Sequence, residues 1–333
     1  MRLDAAIAPD SLRDVAPQAA AAEAFGFDAV WTSETQHDPF LSLALVSEHT
    51  TRLSFGTAVA ISFARSPTVL AHTAWDLAGA SGGRFLLGLG TQVRPHIERR
   101  FGLSWPASPV NALREYIQGL RAIWHAWQTG ERLNYRGEVY HLTLMTPFFS
   151  PGPIEQPAIP IYLAGVNRGL IQLAGECADG LHAHPLHSAR YLREVVRPAL
   201  HDGAARVGRD AGRVDVSVSV FTVSDPAEAD FARSQIAFYA STPSYRPVLE
   251  LHGWGELADR LSALARRGAW ADMPAEVNDE MLRTFAVVAD SGELAGALRE
   301  RYDGLVDRVT VYRPFRPGER DTFWKDLVIG LAG

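Results

Sequence analysis

The sequence has almost no cysteine and no long apolar run. Cys177 is the only cysteine, so no disulfide can form within the chain, and a reducing compartment such as the cytoplasm is expected. No segment approaches the roughly 18 consecutive apolar residues that a membrane-spanning helix needs. The first residues, which include Asp4 and Asp10, lack the apolar core of a signal peptide. We therefore expect a cytoplasmic protein without a membrane partner.

The charge balance argues against nucleic acid as a partner. The chain has 32 Lys and Arg residues against 38 Asp and Glu residues, and its formal net charge of -6 disfavours binding to nucleic acid. Of its 333 residues, 47% are hydrophobic and 21% are charged, which is typical of a globular protein. No linker, repeat or low-complexity tract divides the chain, so a single domain over residues 1–333 is expected.

A glycine-rich stretch at residues 81–93, SGGRFLLGLGTQV, is the most informative local pattern. Its apolar run from Phe85 to Leu87 predicts a strand buried on both faces, as in a parallel sheet. The flanking glycines permit a sharp turn and the close approach of a flat ligand, although a tight turn without a ligand has the same composition. The stretch is not a dinucleotide-binding fingerprint, because Val93 occupies the position of the third glycine.

Strand-like and helix-like patterns alternate about eight times along the chain. Residues 29–31 are typical of the strands, and the amphipathic segment 112–127 is typical of the helices. Eight β/α units, with insertions near residues 91–110, 128–158 and 241–280, predict an α/β fold of the TIM (β/α)8 barrel type, with a doubly wound sheet as the alternative. In such a barrel, ligands bind at the carboxyl ends of the strands, and polar clusters follow several of the predicted strands.

Four segments of the chain, taken together and in their order, resemble those of a known superfamily. They are GFDAVWTSE (26–34), GRFLLGLGTQ (83–92), PIYLAGV (160–166) and ADGLHAH (178–184). Together they resemble the luciferase-like monooxygenase superfamily, and more closely its deazaflavin (coenzyme F420)-dependent oxidoreductases. The resemblance extends over essentially the whole chain. It implies a TIM barrel that binds a flavin or deazaflavin at its C-terminal face, and a homodimer.

The resemblance also implies which residues contact the cofactor. In relatives the third strand carries a bulge with a non-prolyl cis peptide bond, against which the cofactor ring packs. This bulge matches Thr57, Ala58 and Val59, with the cis bond between Ala58 and Val59. The ends of strands four and five hold the cofactor through backbone amides, which suit a phosphate near a helix N-terminus. The matching residues here are Gly90, Thr91, Gln92, Ala164, Gly165 and Val166. Arg94 joins this set because the deazaflavin tail is polyanionic.

The expected catalytic residues depart from the family pattern. Many relatives place a histidine in a Ser-Asp-His-type motif after strand two, whereas residues 33–37 here read SETQH, so His37 is displaced. His37 is the leading proton donor or acceptor, and Glu34 orients it or binds the cofactor. A loop histidine bonded to Asp38 and a strand-end salt bridge of Glu34 are the structural alternatives. Sugar-phosphate dehydrogenases of the family carry a glutamate where this chain has Val93, so that activity is not expected.

Four further residues are expected in the substrate pocket: Arg65, His96, His182 and His184. Arg65 precedes a predicted helix cap, and His96 lies in the loop after strand four. His182 and His184 are two residues apart in a predicted strand and therefore share a face. No acidic residue nearby completes a metal site with them, so no metal is expected. An ion pair of Arg65 and a solvated loop around His96 are the structural alternatives.

The sequence favours an oxidoreductase that transfers a hydride between coenzyme F420 and a small organic substrate. An FMN-dependent monooxygenase on the same fold is the first alternative, because a flavin also permits oxygen activation. A non-catalytic cofactor-binding barrel is the second, since the usual glutamate is absent and His37 is displaced. The identity of the substrate cannot be read from any motif.

Overall fold

The computed structural model describes residues 1–332, and its central feature is a closed ring of eight parallel strands. The strands are β1 (Arg2–Ala6), β2 (Ala29–Thr32), β3 (Ser54–Thr57), β4 (Phe85–Gly90), β5 (Ile161–Gly165), β6 (Gly180–Ala183), β7 (Asp215–Val223) and β8 (Arg308–Pro314). The ring closes because β7 pairs with both β6 and β8, and β8 pairs with β1. The TIM barrel prediction is therefore confirmed, and a doubly wound sheet is excluded.

Helices follow the strands around this ring. They are α1 (Val15–Phe25), α2 (Pro39–His49), α3 (Pro67–Ser81), α4 (Arg94–Arg99), α5 (Pro109–Thr129), α6 (Arg168–Cys177), α7 (Ala189–Tyr191), α8 (Arg197–Arg206), α9 (Pro226–Ala240), α10 (Arg246–Glu250), α11 (Gly255–Arg266), α12 (Asp279–Phe285), α13 (Leu294–Tyr302) and α14 (Asp321–Leu331). A π-helical segment, Leu192–Val196, joins α7 to α8. Short 3-10 turns cover Leu12–Asp14, Ser62–Ala64, Pro147–Phe149, Ala211–Arg213, Pro243–Tyr245 and Met273–Glu276.

The ends of the helices follow the capping signals of the sequence. The Asp38 carboxylate accepts a hydrogen bond from the backbone N–H of Phe40 at 2.8 Å and begins α2. The Ser66 side chain caps α3 in the same way, and Pro67 is the first residue of that helix. Gly26 ends α1 with a φ of 94°, in the left-handed region that glycine adopts without steric cost.

The insertions are more ordered than the sequence indicates. The segment 91–110, expected to be an irregular loop, contains α4. The second insertion contains a hairpin, in which Tyr135–Arg136 pairs with His141–Leu142. Its turn is fixed by the buried Glu115 of α5, whose carboxylate accepts hydrogen bonds from three successive backbone N–H groups of residues 138–140. Two further short strands, Ala60–Ile61 and Ala286–Val288, pair with β4 and β7.

The interior of the barrel is partly polar directly beneath its C-terminal end. The buried Asp4 accepts two hydrogen bonds from Arg308, at 2.7 and 2.8 Å, and one from the indole N–H of Trp31 at 2.8 Å. Trp31 in turn packs edge-on against His182, with ring centroids 4.7 Å apart. This network fixes the side chains that form the floor of the cavity described next. Within residues 1–332, no helix is long and apolar enough to cross a membrane.

Candidate active site

A cavity of about 1260 Å³ opens at the carboxyl ends of the strands. The predicted site residues that line it are Glu34, His37, Ala58, Val59, Gly90, Thr91, Gln92, Arg94, Ala164, Gly165, Val166, His182 and His184. Three others, Thr57, Arg65 and His96, do not belong to its wall. The fold thus brings most of the predicted residues together at the end of the barrel where such folds bind ligands.

The bulge after β3 forms one side of this cavity. The Ala58–Val59 peptide bond is cis, as predicted. The end of β2 and the residue after it hold the bulge from one side, because the Ala58 N–H donates to the Thr32 carbonyl at 2.7 Å and the Ser33 hydroxyl donates to the Ala58 carbonyl at 2.9 Å. The Glu34 N–H also donates to the Val59 carbonyl at 3.4 Å. The motif after β2 therefore fixes the shape of the bulge.

The glycines of β4 hold the same bulge from the other side. The Thr57 hydroxyl donates to the Gly88 carbonyl at 2.6 Å and accepts from the Gly88 N–H at 3.0 Å. A Cβ atom on Gly88 would lie 1.7 Å from the Thr57 carbonyl oxygen, and one on Gly90 would lie 2.6 Å from Cγ2 of Val59. The glycines are thus required by the close approach of two strands. Thr57 itself joins the strands and is completely buried.

Glu34 and Arg65 form an ion pair behind the bulge. One oxygen of Glu34 accepts from the Ile61 N–H at 2.7 Å and from the Arg65 guanidinium at 2.5 Å. Arg65 also donates to Asp38 at 3.0 Å. Burial disfavours the charge of Arg65, but these two carboxylates outweigh burial and raise the pKa of Arg65. Arg65 therefore braces the bulge instead of facing a substrate, and the carboxylate of Glu34 is directed to it.

His37 lies at the mouth of the cavity with an exposed side chain. In the described part of the chain it makes no hydrogen bond with Glu34 or Asp38. The neighbouring Asp10 is paired with Arg316 at 2.9 Å, and this pairing lowers the pKa of Asp10. The imidazole of His37 is exposed at the mouth of the cavity, where a ligand can reach it.

The segment after β4 forms the rim. Gln92 adopts a φ of 62°, which is uncommon for a residue other than glycine, and its side-chain oxygen accepts from the Val93 N–H at 2.9 Å. Arg94 begins α4 and pairs with Glu98 at 2.8 Å on the exposed surface. His96 lies on α4 with an exposed side chain that does not reach the cavity. Of the four predicted residues in this segment, Thr91, Gln92 and Arg94 line the cavity and His96 does not.

The end of β5 leads into the N-terminus of α6 at the cavity wall. No side chain caps this helix at Asn167, and the Leu170 N–H is the first to bond back to the Asn167 carbonyl. The N–H groups of Arg168 and Gly169 belong to the first turn and have no acceptor within the helix. Since Gly169 lines the cavity, these groups offer a place for an anion such as a phosphate.

Two histidines follow the interior face of β6. Burial lowers the pKa of His182 to about 3, with a further contribution from the charge of Arg308, and its buried Nε2 atom has no hydrogen-bond partner in the described residues. Burial also lowers the pKa of His184 to about 3. Its Nδ1 atom accepts from the Leu186 N–H at 3.0 Å, so the hydrogen of the neutral ring is on Nε2. Both side chains line the cavity as uncharged groups at neutral pH.

Sequence reasoning missed the tyrosines of the wall. Tyr239 of α9, Tyr245 of the turn Pro243–Tyr245 and Tyr312 of β8 all line the cavity. The position of Tyr312 near the end of the last predicted strand was a usable signal, since barrel ligand sites lie at strand ends. Tyr239 lies just before the third insertion and Tyr245 lies within it, and no motif marks either residue. No cluster of three or more metal-ligating side chains occurs within residues 1–332.

Comparisons with known proteins agree with this geometry. The sequence model of the luciferase-like monooxygenase family matches residues 2–308 of this chain. An uncharacterized protein of Mycobacterium tuberculosis is 48% identical over 315 residues, which cover 93% of this chain and 92% of that protein. The F420-dependent glucose-6-phosphate dehydrogenase of Segniliparus rotundus is 31% identical over 228 residues, which cover 64% of this chain and 65% of that enzyme.

A solved structure shows the same fold. The coenzyme F420-dependent tetrahydromethanopterin reductase from Methanopyrus kandleri superposes with a TM-score of 0.79 at 20% identity, covering 99% of this chain and 97% of that one. The family model covers most of the chain, from β1 to the start of β8. The protein therefore belongs to the luciferase-like monooxygenase family of oxidoreductases.

Proposed function

We propose that this protein is an oxidoreductase that uses coenzyme F420 to transfer a hydride to or from a small organic substrate. The observation that carries the proposal is the bulge at Ala58 and Val59, which β2 and β4 hold from both sides at the wall of the cavity. A fixed backbone surface of this kind suits a planar ring system. Relatives named as F420-dependent enzymes support the choice of deazaflavin.

The rest of the cavity fits such a cofactor. Its volume of about 1260 Å³ exceeds the roughly 300–1000 Å³ that one drug-sized ligand needs, which leaves room for a coenzyme and a substrate together. The backbone N–H groups of Arg168 and Gly169 would hold a phosphate at the start of α6. The exposed Arg94 would attract a polyanionic tail at the rim, because its surface pair with Glu98 is weak. When bound, the coenzyme supplies the hydride chemistry.

His37 is the proposed proton donor or acceptor. It is the one predicted acid or base at the cavity whose side chain is exposed and unpaired within the described residues, whereas Glu34 is committed to Arg65 and Ile61. His182 and His184 stay neutral because burial lowers their pKa values far below 7. An exposed imidazole within reach of a bound substrate can donate a proton to, or accept one from, a substrate oxygen.

The family name keeps an FMN-dependent monooxygenase as a second candidate. Titration of the purified protein with oxidised coenzyme F420 and with FMN, followed by fluorescence, separates the two. Micromolar or tighter binding of the deazaflavin with weaker binding of FMN is expected. The reverse order would assign the protein to the flavin monooxygenases, and binding of neither would contradict both candidates.

A matched pair of glycine variants tests the bulge as the binding surface. Gly90→Ala places a methyl group against Val59 and shifts the bulge, so at least a tenfold loss of coenzyme affinity is expected. Gly296→Ala in α13 is the control, because a Cβ there meets no atom within 4 Å. Equal affinities of the two variants would show that the ring binds elsewhere.

Two further expectations belong to this proposal. We expect the chain to act as a single barrel domain in the cytoplasm and to form a homodimer. Strongly exposed apolar side chains on the second insertion support association, since Leu144 is 80% and Phe148 is 87% exposed. Analytical ultracentrifugation at micromolar protein concentration tests it, and a monomer would contradict it.

A further inference from the structure

The cavity has a second wall, opposite the bulge, that is made of aromatic rings. In a closed ring of eight strands, β3 and β4 face β7 and β8 across the barrel. His184 follows β6, next to β7, and its ring lies 4.1 Å from that of Tyr245 and 4.5 Å from that of Tyr239. Tyr312 of β8 completes the group through a hydrogen bond between its hydroxyl and that of Tyr239. We call these four residues the aromatic wall.

The aromatic wall offers two polar groups that have no hydrogen-bond partner among the described residues, the Tyr245 hydroxyl and the Nε2–H of His184. The hydroxyl groups of Tyr239 and Tyr312 are satisfied by each other and by Gln235, whose side-chain oxygen is 3.3 Å from Tyr312. The Nδ1 atom of His184 is occupied by the Leu186 N–H. Its Nε2–H group has no acceptor among the described residues, and the side chain is in contact with the cavity. The wall therefore presents aromatic faces and edges together with two hydrogen-bond donors, of which the Tyr245 hydroxyl can also accept.

The arginines that line the cavity do not add a free positive charge to this wall. Arg313 is held by the buried Glu228 at 3.0 Å. Arg316 pairs with Asp10 and Arg94 pairs with Glu98, both near the exposed rim. The one lysine of the chain, Lys325, packs on Phe25 and is not part of the cavity. A phosphate or carboxylate at the aromatic wall would lose its hydration without gaining a counter-charge.

We propose that the aromatic wall binds an uncharged ring-bearing alcohol or ketone, whose ring packs against Tyr239, Tyr245 and Tyr312 and whose oxygen accepts a hydrogen bond from His184 Nε2. Offset and edge-on contacts between rings favour an aromatic or similarly flat compound over an extended aliphatic one. The inference rests on the proposed function where it makes this compound the substrate. The wall itself is complete without the coenzyme.

The test compares two probes that share the naphthalene ring and carry either a neutral alcohol or an anionic carboxylate. 2-Naphthalenemethanol and 2-naphthoate are titrated into the protein, alone and saturated with coenzyme F420, and binding is followed by ligand-observed NMR. The alcohol is expected to bind at least tenfold more tightly than the carboxylate, and glucose 6-phosphate is expected not to compete with it. Equal or tighter binding of 2-naphthoate, or competition by the sugar phosphate, would overturn the inference.

Three variants locate the probe. Tyr245→Ala removes a ring from the wall and is expected to weaken binding of the alcohol at least tenfold. His184→Phe keeps a ring but removes the Nε2–H donor, so it is expected to reduce the preference of the protein for the alcohol over naphthalene. Phe238→Ala is the control, because Phe238 neighbours Tyr239 on α9 but is exposed outside the cavity. Equal losses in Tyr245→Ala and Phe238→Ala would refute the location.

Titration of the protein with the coenzyme tells a failure of the aromatic-wall assignment from a failure of the proposed function. If the protein binds 2-naphthalenemethanol at the aromatic wall but does not bind the deazaflavin, the wall assignment stands and the proposed function fails. If it binds the deazaflavin but neither naphthalene compound, the proposed function stands and the wall assignment fails.

Discussion

Replacing Glu34 with glutamine distinguishes a structural from a catalytic carboxylate. The side chain of Glu34 is 8% exposed, and one of its oxygens accepts from both the Ile61 N–H and Arg65. Glutamine retains the shape and one acceptor but removes the charge. Each of the two bonds then changes from charge-assisted to neutral, at a cost of about 1 kcal/mol per bond. We therefore expect Glu34→Gln to lower the free energy of unfolding by about 2 kcal/mol.

The assay is urea-induced unfolding followed by circular dichroism, with Glu98→Gln as the control. Glu98 pairs with Arg94 on an exposed helix surface, so its loss should cost less than about 0.5 kcal/mol. Because Glu34 supports the bulge, coenzyme affinity should fall together with stability. If Glu34→Gln is as stable as Glu98→Gln and binds the coenzyme normally, the bracing role is refuted. Loss of turnover in that same variant would instead make Glu34 a catalytic residue.

Three other predictions concern buried groups. Burial lowers the pKa of His182 and His184 to about 3 and that of His187 to about 4. As the pH falls, these histidines therefore become protonated in the unfolded chain before they do in the folded protein. The contribution of these neutral histidines to the free energy of unfolding is fully present above about pH 6.5. Toward pH 4 it falls by about 1.4 kcal/mol per pH unit for each histidine. Unfolding midpoints that do not change between pH 7 and pH 5 would contradict this prediction. Asp4→Asn leaves Arg308 without its buried counter-charge and should cost about 3–5 kcal/mol in the same urea assay, whereas a loss below 1 kcal/mol would make the pair dispensable. Burial raises the pKa of Cys177 to about 11, so iodoacetamide should react slowly with the native protein and quickly in urea, and equal rates would refute the burial of the thiol.

The elements that the sequence predicted best are those set by local chemistry. The cap at Ser66 and the glycine end of α1 depend only on the residues beside them, as does the cap at Asp38. The alternation of strands and helices was enough to predict the barrel, because parallel strands with connecting helices have few ways to close. The cis bond at Ala58 was predicted from family resemblance alone.

The parts of the site that could not be predicted depend on partners distant in sequence. Arg65 was expected to face a substrate, but Glu34, 31 positions earlier, holds it behind the bulge. The need for Gly88 follows from the backbone of Thr57, also 31 positions away. The tyrosines of the aromatic wall come from separate elements that meet only in the folded barrel.

The two walls of the cavity have different tolerance to mutation. The bulge and β4 are interlocked through backbone groups and glycines, so almost any substitution there disturbs several strands at once. Tyr239 and Tyr245 belong to a helix and a turn outside the ring of strands. Their replacement leaves the backbone hydrogen bonds between the barrel strands intact. Evolution or laboratory selection can therefore change what this protein accepts by altering that side alone, while the opposite surface is inherited without change.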